Sequence, residues 1–192
     1  MGGGEVEGTG GKEAGHSLIG SSAHRVIERR SMADFNAAVA FTLKEEGGLV
    51  DSLSDPGGLT NFGIALNEHP ELTAADIRSM TSDRAAQIYR AQYWPELYDQ
   101  IQSQYLALQL FDFGVTSGVK SAVRTFQNAE WMHGGAMSDG VFGPATLAKA
   151  NGSDPKALLA ELVTQRLDFY ASIQKLQFDH SWFGRTIRAL LL

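Results

Sequence analysis

The sequence predicts a mainly α fold with one small β excursion, and three observations lead there. Apolar residues recur at the 3.6-residue period of a buried helix face in several separate stretches. A single stretch, around residues 57–66, joins a tight-turn signal to β-type residues. Finally, 192 residues at 43% hydrophobic and 20% charged suit one compact domain, or one domain with a small annex.

Residues 1–31 are rich in Gly and Ser and poor in large apolar side chains. They cannot bury enough surface to offset ordering entropy, so a disordered tail is expected, with the folded unit starting near Met32. Asp34 is an N-cap candidate, and Phe35, Ala38, Val39 and Leu43 form one helical stripe. Gly47-Gly48 should end that helix. Asp55-Pro56-Gly57-Gly58 is a turn signal, and Leu59 to Ile64 reads as a short strand or hairpin arm. Thr73 to Asp76 resembles a capping box. Ala85, Ile88, Tyr89 and Tyr93 mark the next helix, closed by Pro95. Tyr105 to Phe113 is apolar on most sides, as a central helix would be. Val119, Ala122, Val123 and Phe126 give a further stripe. Gly143-Pro144 and Asp154-Pro155 each restart a helix with Pro at its first position, and Leu158 to Tyr170 continues the second. Trp182 to Leu192 reads as a short apolar helix.

Composition removes several classes of function. With 16 Lys+Arg against 22 Asp+Glu the net charge is −6, which argues against nucleic acid as the partner. There is no cysteine, hence no disulfide, thiolate nucleophile or Cys-ligated zinc. His69, His133 and His180 lack metal-ligand spacing, so neither metal nor cofactor is expected. No apolar run is long enough for an integral membrane segment, and no signal-peptide core is recognisable.

The chemistry concentrates after the first helix. Glu46 comes round to about 20° from Phe35 and so points at the core, whereas Glu45 lies about 80° off the stripe and should be wetter. Burial and the negative end of the helix both disfavour the Glu46 anion, as a general acid working near neutrality requires. Taken alone, helix geometry favours an exposed helix-end carboxylate or the buried partner of an arginine, since most glutamates are structural or solvated.

The run KEEGGLVDSLSDPGGLTNFGIA, residues 44–65, resembles the signature of glycoside hydrolase family 108, phage-type and bacterial muramidases. The likeness continues in Tyr93-Trp94-Pro95, in Phe111-Asp112-Phe113 with Gly118, and in Phe126-Gln127. It resumes in Ser138 to Leu147 and in Trp182 with Arg185, so it spans residues 32 to about 190. It implies a lysozyme-like catalytic region at 32–118 and a peptidoglycan-binding helical region at 119–192 packed on it. It implies Glu46 as the catalytic acid, in an N-acetylmuramidase that hydrolyses the β-1,4 bond between N-acetylmuramic acid and N-acetylglucosamine. The spacing also resembles the wider phage-lysozyme pattern of Glu, Asp and Thr, with eight residues between Glu46 and Asp55 but only four between Asp55 and Thr60.

Asp55 and Thr60 are therefore the candidates to assist the attacking water. Asp before Pro-Gly is also an ordinary turn residue, and Thr60 also an ordinary strand residue. Tyr93 and Trp94 are candidates to stack on sugar rings, though core packing accounts for either. Asp112 is a further substrate-binding candidate, with pairing to an arginine as the alternative. The expected cleft lies between the β excursion and the helices at 85–113. The expected partner is the peptidoglycan glycan strand, met by a monomer made in the cytoplasm and released to the cell wall through a holin or secretion system. A phage endolysin, a secreted bacterial lysin and an exported effector all fit. The rival activities are a lytic transglycosylase and a non-catalytic wall binder.

Overall fold

The computed structural model describes residue 1 and residues 32–51, 58–128, 138–173 and 179–191. The expected tail at 1–31 thus falls almost wholly outside the described residues, as do Asp55 and His133. Among the described residues the fold is mainly α, lysozyme-like, with eight α-helices and a small antiparallel sheet.

The first helix, α1 (Phe35–Glu46), is capped as the sequence predicts: the Asp34 carboxylate accepts from the Asn36 N–H, and Gly47 ends it at φ 80°. Ala38 and Val39 are buried, and Phe35 and Leu43 pack against the same core. The sheet has three strands, β1 (Val50–Asp51), β2 (Leu59–Asn61) and β3 (Ile64–Ala65), in sequence order. The β2–β3 hairpin turns on Phe62 and Gly63, with φ of 50° and 75°. Two positive φ values match the primed turns that suit a right-twisted hairpin. β1 escaped the sequence reading because it is two exposed residues long and carries no alternation.

The capping box at Thr73 opens α2 (Ala74–Arg78), with Thr73 and Asp76 each bonding the other's backbone N–H. Then come α3 (Ser82–Tyr93), a 3₁₀ turn over Glu96–Gln100, and α4 (Gln104–Ser117). Every residue of α4 from Leu106 to Gly114 is buried. This helix is the hub, with α1 and α3 on one side and α5 (Val119–Asn128) and α7 (Pro155–Ser172) on the other. α6 (Pro144–Gly152) and α7 both start with Pro, as expected. The last helix, α8 (Asp179–Arg188), starts three residues before Trp182 and packs on α7. A second small core of Phe113, Ala122 and Tyr170, joined by Phe169, Trp182 and Phe183, fixes it there. No helix among the described residues is long and apolar enough to cross a membrane.

Candidate active site

Glu46 closes α1, and its side chain is 22% exposed. It opens on a pocket of about 180 Å³, which it lines with Gly63 and Ile64 of the hairpin and Glu68 and His69 of the following turn. Tyr89 and Tyr93 of α3, Val115 and Thr116 of α4, and Trp182 and Arg185 of α8 complete the wall. The cleft therefore lies beside the hairpin and α3, as the sequence predicts, but α8 supplies a further wall that it did not foresee. A broader concavity of about 670 Å³ lies between α1 and α3. Its Arg90 and Asp99 satisfy one another, and no carboxylate is held dry there.

One contact dominates the pocket. The Arg185 Nη1 donates to Glu46 Oε1 at 2.6 Å. This guanidinium is a cation that reading α1 alone leaves out. The rest of Arg185 grips Asp112, with Nε 2.9 and 3.0 Å from the two carboxylate oxygens and Nη2 2.6 Å from Oδ1. Asp112 is 0% exposed and also receives Arg166 Nη2 at 2.7 Å and the Thr42 hydroxyl at 2.9 Å. Arg166, itself 0% exposed, also donates to Gln109 Oε1 at 2.7 Å and to the Tyr170 hydroxyl at 3.0 Å. Tyr170 in turn shares a 2.6 Å hydrogen bond with Thr116 on the pocket wall.

This network fixes charges as well as positions. Burial pushes the Asp112 carboxyl up, but the two arginines and their hydrogen bonds outweigh it and hold it below the usual carboxylate range. Burial likewise pulls Arg185 towards neutrality, and Asp112 and Glu46 reverse that, leaving it above the ordinary arginine value. Arg185 is therefore a permanent cation against one oxygen of Glu46. The other oxygen, Oε2, faces the hairpin.

Gly63 is the reason that oxygen has room. A Cβ built on Gly63 would stand 2.5 Å from the Tyr89 hydroxyl, 2.8 Å from Glu46 Oε2 and 2.9 Å from Glu46 Cγ. Its φ of 75° is unfavourable for any L side chain as well. The Tyr89 hydroxyl donates to the Phe62 carbonyl at 3.0 Å, tying α3 to the same turn. Gly63→Ala is expected to displace Glu46, and with Glu46 as the reacting group it should cut activity about 10²-fold, since a 1 Å misplacement can cost that much. Clearing rates of the variant and the wild type, compared after both pass a folding check by circular dichroism, measure the effect.

The other candidates part company. Tyr93 lines the pocket with Glu46. Thr60 is absent from the pocket wall: it pairs with Val50 and Ala65 in the middle strand, and its hydroxyl contacts the Gly58 carbonyl at 3.4 Å. Trp94 is 4% exposed. It packs edge-on to Phe35, Tyr98 and Phe111, and its indole N–H goes to Asp99, so it is a core residue and offers no face to a sugar. Asp112 is no substrate contact either, because both its oxygens are taken by Arg166, Arg185 and Thr42. Glu45 also departs from expectation, being 13% exposed and thus drier than Glu46, because Arg188 of α8 folds over it. That pairing holds its carboxyl below the ordinary value despite partial burial. Among the described residues no cluster of three or more His, Cys, Asp or Glu side chains could hold a metal ion.

Residues 39–118 match the family model described as "Glycosyl hydrolase 108". The solved structure of SagA from Brucella abortus is similar over 81% of this chain and 90% of its own, at 29% identity and a TM-score of 0.68. No curated protein sequence matches the chain.

Proposed function

We propose that the chain is a glycoside hydrolase, a reading supported by the match of residues 39–118 to the glycosyl hydrolase 108 model, and that it is an N-acetylmuramidase of peptidoglycan. It would hydrolyse the β-1,4 bond between N-acetylmuramic acid and N-acetylglucosamine, acting at the cell wall as a lysin. The observation that carries this reading is the placement of Glu46. Its Oε1 is held by Arg185, while Oε2 stands beside Gly63 in a pocket shared with Tyr93 and Trp182.

That arrangement divides the carboxyl into two jobs. Oε2 carries the proton and delivers it to the leaving glycosidic oxygen. Oε1 keeps its charge-assisted hydrogen bond from Arg185, which steadies the carboxylate formed as the proton leaves. Because Arg185 is itself pinned by Asp112, it cannot swing away during the cycle. Tyr93 and Trp182 supply apolar ring faces of the kind sugars stack on. Water then attacks the anomeric carbon with help from a second group. The resemblance assigns that help to Asp55 or Thr60, and Thr60 lies off the pocket wall.

Digestion of purified sacculi, followed by mass spectrometry of the muropeptides, tests the reaction. Reducing-end muramic acid is the expected product. Anhydro-muramic ends would make the enzyme a lytic transglycosylase, and binding to sacculi without any new ends would make it a wall-binding protein.

A further inference from the structure

The pocket holds a second carboxylate that the sequence reading passed over. Glu68 lies on the turn after β3, where its N–H bonds the Ala65 carbonyl at 3.1 Å. The next residue, His69, is buried and ties its Nδ1 to Glu71 at 2.9 Å. The turn is thus wound tightly against the sheet, with Glu68 exposed on the pocket side. Among the described residues Glu68 forms no ion pair, in contrast to Glu45, Glu46 and Asp112.

Tyr93 lines the same pocket as Glu46 and Glu68. Burial first, then the charge of Glu68, then that of Glu46 push its phenol above the ordinary value. One phenol therefore senses both carboxylates, and it stays protonated. Hydrolysis of a glycoside generally needs two carboxyl groups in contrasting surroundings, one able to donate a proton and one able to remain an anion. Glu46, held by Arg185, and Glu68, exposed and outside any ion pair among the described residues, put two carboxyl groups on the wall of one pocket.

We propose that Glu68 is the second catalytic carboxylate of this site, the base for the attacking water. The proposal rests on the assignment of Glu46 as the acid. The step balances simply. The water oxygen forms a bond to the anomeric carbon and gives a proton to Glu68, the bond to the leaving oxygen breaks, and that oxygen takes the proton of Glu46. The net reaction is hydrolysis, and proton exchange with solvent resets both carboxyls.

Kinetics on soluble peptidoglycan strands test this. Glu68→Gln should lower kcat about 10²-fold or more while KM changes less than about threefold, the pattern of a group needed in the transition state. Azide added to Glu68→Ala should restore activity by about tenfold or more, since a small anion can replace a missing carboxylate and cannot repair a structural defect. An unchanged kcat, a rise in KM alone, or a lack of azide rescue would overturn the proposal. So would azide rescue of Asp55→Ala but not of Glu68→Ala. Glu46→Gln measured alongside separates the failures. If it is inactive while Glu68→Gln is active, only the base is misassigned; if it is active, the acid assignment itself falls.

Discussion

A Glu46→Gln protein should melt close to the wild type and yet clear sacculi about 10²–10⁴-fold more slowly. The amide has the shape of the acid and keeps a carbonyl oxygen for Arg185, so the 2.6 Å contact has a successor. Arg185 does not become an orphan, because Asp112 holds its other nitrogens. Only the transferable proton is lost. A turbidity assay beside a thermal melt gives both readings. Clearing at more than about a tenth of the wild-type rate by a folded variant would remove Glu46 from the role of acid.

The largest stability effect belongs one layer deeper. Asp112 is the buried carboxylate on which Arg166 and Arg185 converge, with Glu46 on a further nitrogen of Arg185. Asp112→Ala leaves Arg166, with no exposed surface, beside only the neutral Gln109 and Tyr170. Breaking a buried pair from one side costs about 3–5 kcal/mol, roughly 10 °C or more of melting temperature for a domain of this size. Denaturant titration should show that loss, and a change under about 1 kcal/mol would mean the cluster relaxes or hydrates freely. The same aspartate predicts an acid limb. Its folded pKa is depressed, so its contribution is complete above the unfolded value of about 3.9 and is lost as pH falls below that, through the folded value. Wild-type stability should therefore drop steeply below about pH 4, and Asp112→Asn should flatten that slope.

Much of this was legible in the chain because it is local. The stripe from Phe35 to Leu43, the cap at Asp34, the glycine stop and the Thr73 capping box depend on residues within a few positions of each other, and all appear as read. The face of Glu46 followed from helix geometry alone. What failed was long-range. A helical wheel gives the direction of Glu45 but not what lies over it, and Arg188 arrives from 143 positions away. Trp94 was a candidate for sugar stacking only as an aromatic side chain, with core packing the alternative, and the 3₁₀ turn settles it by folding Tyr98 and Asp99 back onto the indole. Arg185 stood in the sequence as part of a motif, with nothing nearby to announce that it would join Asp112 to Glu46. Glu68 gave no signal at all, being a polar residue in a turn, the least informative position in a globular chain.

The clasp between the two ends of the fold also sets an order of events. Arg185 lies 139 residues downstream of the glutamate it holds. A growing polypeptide at the ribosome has made Glu46, the hairpin and most of the pocket well before it has made the clamp. During that interval it is an unfinished tool. The clamp on Glu46 thus forms only after α8 has been made, and a proteolytic nick that removes α8 would release Glu46 while leaving every residue of the Glu-Gly-Gly motif in place.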